Sequence, residues 1–227
     1  MAISAFLQPD WIIAMLAQRW PQVAYFVETE EPFVALTIDD GPDSAATPKI
    51  LDALERHDAH ATFFLITNHM AGNEEIVRRI VEEEHELANH LTADEPSILL
   101  APSDFEEQLL EADDALSEFS PVPRPVRWFR PGAGWYNSAM LSILDKHGYQ
   151  CALGSVHPFD PQIPSAWFAT HYILSNVRPG SIIILHDYEK RGERTATTLA
   201  AILPELNKRG FRVVTLSELF SGMGTTE

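Results

Sequence analysis

The 227-residue chain carries 33 acidic residues against 16 lysines and arginines, a formal charge of -17 at neutral pH, and 45% of it is hydrophobic. That apolar content suits a globular chain with a sizeable core, and the length suits one ordinary domain or two small ones. The acidity argues against a nucleic-acid partner and disfavours an anionic membrane surface, while a neutral ligand such as an uncharged sugar stays compatible.

The single cysteine, Cys151, lies in an apolar run, so neither an intrachain disulfide nor a thiolate metal cluster can form. The first residues carry no basic cluster, and Asp10 interrupts their apolar character. They read as neither a signal peptide nor a transmembrane segment, which makes a cytoplasmic address the expectation and secretion the alternative if a leader has been removed. Residues 1–30 read as a helical extension packed on a main domain of residues 31–227.

Short β-rich runs alternate with helical segments. Residues 33–38 (FVALTI) read as a buried strand, and 47–56 as a helix with Pro48 in its first turn. A strand over 61–66, a helix over 74–84 with Ile76, Ile80 and Val81 on its apolar side, and a short strand over 86–88 follow. Ser103, with Glu106 three residues on, marks the start of a helix over 103–117 by a capping box. A proline-rich stretch over 121–125 leads into a strand over 126–129. A helix over 137–147 ends at Gly148, with strands over 150–153 and 181–185 after it. A helix over 195–208 and a strand over 211–215 complete the series. This βαβα rhythm predicts an α/β fold with a parallel sheet, open or closed into a barrel.

The chemistry-bearing residues follow strand-like runs. Asp39 and Asp40 end FVALTI, His90 follows ELA, Arg130 follows VRWF, and His186 and Asp187 end SIIIL. In α/β barrels, groups at the C-terminal ends of strands converge at one mouth. Adjacent carboxylates at a strand end point in different directions, so one can bind a metal while the other acts as a base; a solvated acidic turn is the plainer alternative. His90 and Asp94, four residues apart, share one face if the segment is a helical turn. With Asp40 they offer one imidazole and two carboxylates, enough for a divalent ion with open positions for water. His186 at the edge of an apolar strand suits a general acid, or a core histidine with a satisfied hydrogen bond. Arg130 can orient a carboxylate with a two-pronged contact, or form an ordinary loop salt bridge.

Order and spacing together resemble the NodB-type polysaccharide deacetylases of carbohydrate esterase family 4, chitin and peptidoglycan deacetylases among them. The family's TFDDGP-like motif is matched by TIDDGP over 37–42, and its His-Ser/Thr-x-x-His by His90-Leu91-Thr92-Ala93-Asp94. Its Arg-Pro-Pro-Tyr-Gly corresponds to Arg130-Pro131-Gly132-Ala133-Gly134, its Asp-centred fourth motif to Asp160, and its Leu-x-His to Ile184-Leu185-His186. The resemblance implies a distorted (β/α) barrel and metal-dependent removal of acetyl groups from N-acetylglucosamine-containing glycans of chitin type. It implies Asp39 as general base, His186 as general acid, Arg130 orienting Asp39 and Asp160 setting the proton affinity of His186. Asp40 and His90 become metal ligands, with Asp94 in place of the family's second histidine. The ion implied is Zn2+, with Co2+ or Mn2+ as alternatives. The Ala133 N–H is expected to hold the oxyanion, Ile184 or Leu185 to line the acetyl pocket, and Trp135 to supply an aromatic wall. His157 is placed at the cleft. The partner expected is an N-acetylated glycan, with no nucleic acid and no membrane. A silent carbohydrate-binding domain and a small-molecule amide hydrolase are the rival readings.

Overall fold

A computed structural model describes residues 10–119 and 127–222. Its elements in chain order are α1 (Asp10–Arg19), β1 (Val23–Ala24), β2 (Phe33–Asp39), α2 (Thr47–Glu55), β3 (Thr62–Leu65), α3 (Glu74–Glu82), β4 (Glu86–Asn89) and α4 (Pro102–Ser117). There follow β5 (Arg127–Phe129), α5 (Ser138–Lys146), β6 (Tyr149–Ala152), α6 (Ala166–Asn176), β7 (Ile182–His186), α7 (Glu189–Lys208), β8 (Arg212–Val214) and α8 (Leu216–Ser221).

All strand pairs are parallel, in the order β1-β6-β5-β4-β3-β2-β7, with β8 also pairing β2. The two ends of this path meet through isolated bridges only, Phe26 with Ser181 and Val156 with Ile183. The sheet therefore curls into a distorted barrel. β2 is buried along nearly its whole length because β3, β7 and β8 all pair with it and helices cover the outside.

Strand alternation sorts the side chains. Ile38, Phe63, Leu87, Ile183 and Leu185 point outward into a core shared with α2, α3 and α7. Ala35, Phe64, Ala88, Trp128, Ala152 and Ile182 point inward, where α8 closes one end with Leu216 and Leu219. Continuing the inward set by steps of two toward the C-terminal ends reaches Asp39, His90, Arg130 and His186. Period-two geometry thus gathers them at one mouth.

Several local signals act as expected and others do not. Asn137 caps α5 by accepting from the Met140 N–H at 3.0 Å, an arrangement contributing about 1 kcal/mol. The capping box expected at Ser103 is absent: Pro102 takes the first helical position, so Ser103 lies inside α4 and its hydroxyl donates to Asp104. A capping box does form at α8, between Thr215 and Glu218. α7 starts at Glu189, six residues before the expected 195, and α1 is followed by Val23–Ala24, which join the sheet beside β6. The proline-rich stretch and the first residue of the strand expected at 126–129 lie outside the described residues. No helix among the described residues is long and apolar enough to cross a membrane.

Candidate active site

A cleft of about 770 Å³ opens at the C-terminal ends of the strands, and Asp39, Asp40, His90, Arg130 and His186 line it. Its size is that of a small-ligand site. Asp39 ends β2 and pairs in register with His186 at the end of the neighbouring β7. Backbone strain collects around the mouth: Asp40 (φ 76°), Leu91 (φ 63°) and Ala133 (φ 58°) all sit in the left-handed region. Such conformations cost free energy and persist where the surroundings enforce them. At Asp40 the turn has a visible use. The residue follows an inward-facing one and would point outward in a regular strand, yet it lines the cleft.

Arg130 is buried and fully committed. Its Nη1 donates to Asp39 Oδ1 at 2.6 Å and to Thr37 Oγ1 at 2.7 Å, while Nε and Nη2 donate to the Ala152 and Leu153 carbonyls. Its guanidinium also lies over the Phe64 ring at 4.2 Å. Asp39 is thereby fixed by a charge-assisted bond in a water-poor setting.

His186 Nδ1 donates to Asp160, with the two carboxylate oxygens at 2.9 and 3.0 Å. Burial disfavours the imidazolium, but the charge and hydrogen bond of Asp160, with Asp39 and Asp40 beyond, outweigh it and raise the His186 pKa to about 9. His157 behaves oppositely: burial and the nearby His186 charge push it down to about 4. Asp187, next in the chain, is buried and accepts from Thr47 Oγ1; burial and the Asp43 and Asp40 charges raise it to about 7.

Asp40 faces His90, with Oδ1 and Nε2 3.5 Å apart. His90 Nδ1 donates to the Arg130 carbonyl at 2.7 Å, which turns Nε2 toward the carboxylate. Burial opposes ionisation of both groups. The His90 hydrogen bond and the charges of His186, His90 and Arg191 nevertheless hold the Asp40 carboxyl well below the usual carboxylate range, and the Asp40 bond with the Asp39 and Asp40 charges raises His90.

Asp94 does not complete this pair. The segment after β4 is a series of bends, not a helical turn, because Leu91 takes a left-handed conformation. The shared helical face expected for His90 and Asp94 is therefore lost, and the Asp94 side chain is 61% exposed. Its charged neighbour is Arg191 of α7, whose Nη2 lies 3.9 Å from Asp94 Oδ2 while Nη1 lies 2.8 Å from Asp40 Oδ2. Asp40, His90 and Asp94 thus fail to converge as three ligands. Among the described residues, one group does bring three donors within 4.8 Å of one another: His157, Asp160 and His186. Two imidazoles and a carboxylate are a donor set that could hold a divalent ion.

Ala133, Trp135 and Ile184 line the cleft, and Trp135 is 66% exposed. Leu185 does not: it is fully buried among the helices, since neighbours along a strand face opposite sides. Sequence reasoning missed Arg191, and missed Ile12, Ile13 and Leu16 of α1, which form an apolar wall of the cleft. The one sequence signal for Arg191 is its place five residues past His186, between the strand expected over 181–185 and the helix expected over 195–208.

A family model for polysaccharide deacetylase matches residues 26–152. The chain is 36% identical over 201 residues to a peptidoglycan-N-acetylglucosamine deacetylase of Bacillus cereus, covering 87% of this chain and 92% of that protein. It is 33% identical to a chitooligosaccharide deacetylase of Bradyrhizobium sp., covering 82% of this chain and 90% of that one. The crystal structure of the Bc1960 peptidoglycan N-acetylglucosamine deacetylase superposes with a TM-score of 0.82 at 29% identity, covering 88% and 94% of the two chains. A match of this extent leaves no room for a shared fold alone: the chain belongs to the polysaccharide deacetylase family, carbohydrate esterase family 4, and is a hydrolase of carbon–nitrogen bonds other than peptide bonds.

Proposed function

We propose that the chain removes acetyl groups from N-acetylglucosamine residues of a glycan, releasing acetate and a free amine, and that neutral chito-oligosaccharides are its substrates. The carrying observation is the pairing, on adjacent registered strands, of an Arg130-held Asp39 with an Asp160-backed His186 in one cleft. This pairing supports reading Asp39 as the base and His186 as the acid.

Asp39 takes the proton of a water molecule as its oxygen bonds to the acetyl carbon. The developing oxyanion lies against the Ala133 N–H, and one such donor is worth about 2.7–4 kcal/mol of barrier. His186, protonated below about pH 9, delivers its proton to the nitrogen as the C–N bond breaks. Asp160 holds the imidazole in the required orientation. Ile184 faces the acetyl methyl, and exposed Trp135 offers a stacking face to a sugar ring.

Asp40 and His90 would hold the divalent ion for this chemistry. An imidazole nitrogen and a carboxylate oxygen 3.5 Å apart can grip one cation together, and Asp40 Oδ2 is a buried oxygen without a hydrogen bond of sound geometry. The His157, Asp160, His186 trio is the other group that fits an ion, but its carboxylate is already satisfied by His186. When bound, the ion supplies positive charge that polarises the acetyl carbonyl and acidifies water.

The charge of -17 favours a neutral oligosaccharide over peptidoglycan, whose peptide stems carry carboxylates. Acetate release from N-acetylglucosamine oligomers and from peptidoglycan fragments, measured side by side, tests this. Release from oligomers at the higher kcat/KM is expected. Release from peptidoglycan alone refutes the substrate assignment, and release from neither refutes the activity.

A further inference from the structure

α7 begins in an unusual way. Glu189, its first residue, has φ 52°, and its N–H donates to Asp43 Oδ2. This fixes the direction of the first turn, and Arg191 extends from that turn into the cleft. A cation in the first turn opposes the helix dipole, so helix stability does not account for it. Its surroundings do. Nη1 reaches Asp40 Oδ2 at 2.8 Å and Nη2 approaches Asp94 Oδ2 at 3.9 Å, with the arginine side chain only 27% exposed.

We propose that Arg191 is a built-in competitor for the cation at Asp40: its guanidinium occupies the space between Asp40 and Asp94, so that Asp94 tethers Arg191 instead of ligating the ion, and Arg191 sets how tightly the ion is held. The inference rests on the reading that Asp40 and His90 carry the ion. Both carboxylates would be drawn to a divalent ion, but each already has a positive partner, and the ion must share Asp40 with it. The left-handed Leu91 carries Asp94 onto an exposed bend, and Arg191 is the charged neighbour it meets there. Arg191 is thus a positioning residue that acts through Asp40 and Asp94.

The test is Co2+ titration of the full chain after dialysis against a chelator, followed by calorimetry and by the visible absorption of the bound ion. Arg191→Gln is expected to tighten Co2+ binding about tenfold or more, in line with the strength of close charge pairs. Arg191→Lys, which keeps the charge, is expected to stay near the wild type. Asp94→Asn alone is expected to change affinity less than about threefold, whereas in the Arg191→Gln background it removes most of the gain, because only there is Asp94 free to ligate. Unchanged or weaker binding in Arg191→Gln overturns the proposal, as does loss of binding in Asp94→Asn. His90→Ala separates this from the underlying reading: retained Co2+ in that variant refutes the Asp40 and His90 assignment, whatever Arg191 does. Thermal unfolding of each variant confirms that the fold is intact.

Discussion

His90 and Asp40 face each other across 3.5 Å with the imidazole anchored from behind by the Arg130 carbonyl. Loss of that imidazole leaves one ligand where there were two. Co2+ affinity in His90→Ala is expected to fall about 100-fold or more, at the upper end of what even outer partners of a ligand contribute. His157→Ala is expected to keep the ion. The opposite pattern places the working ion at His157, Asp160 and His186. Chelation of the wild type is expected to stop acetate release, and added metal to restore it.

Asp39→Asn keeps the shape of the site and the neutral hydrogen-bonding capacity but removes the base. Turnover is expected to drop by about 10²–10⁴-fold, the usual contribution of a positioned general base. Oligosaccharide binding, measured calorimetrically, is expected to persist. Turnover within a few-fold of the wild type removes Asp39 from the role of base.

Arg130→Ala strands the buried Asp39 carboxylate and empties the space over Phe64. Breaking a buried ion pair from one side costs on the order of 3–5 kcal/mol of folding stability. Urea unfolding should register a loss of that order, and kcat should fall with it. Arg130→Lys cannot supply the five fixed donors of the guanidinium, so it should recover only part of either.

The pH dependence follows from His186, whose pKa rises to about 9 through Asp160 against the opposing effect of burial. A raised histidine pKa means that the folded state holds the proton more tightly than the unfolded chain. Its stabilisation is therefore complete below the ordinary histidine value of about 6.5 and is lost as pH rises through about 9. As the acid of the reaction, His186 should also give kcat/KM a basic limb near pH 9. Asp160→Asn should shift that limb to lower pH. A limb that stays in place shows that another group sets it.

Gly132 opens the loop that carries Ala133. A Cβ there would stand 2.2 Å from the Glu95 carbonyl oxygen, so Gly132→Ala must push the loop away from the 92–97 bends. Forced overpacking of this kind costs about 1–3 kcal/mol. The displacement should lower kcat more than it raises KM, because it moves the oxyanion donor and leaves most sugar contacts alone. Steady-state kinetics on oligosaccharides checks the split.

The barrel and most of its mouth were legible along the chain because their signals are local. An apolar run ending in a polar residue marks a strand end, and residues two apart share a face, so Asp39, His90, Arg130 and His186 could be placed together before any contact was known. The same step of two selects Ile184 over Leu185, a choice the sequence reading left open and the barrel interior closes. The partners of these residues were another matter. Asp94 was expected beside His90 on a helical turn, but the left-handed Leu91 breaks that geometry, and no propensity in the segment announces it. Arg191 arrives from the far end of the chain because α7 starts earlier than its apolar pattern suggests. Spacing governs which residues end their strands at the mouth; which charges meet there depends on how loops and helix ends fold over it, since electrostatic partners are chosen by distance in space and not by separation along the chain.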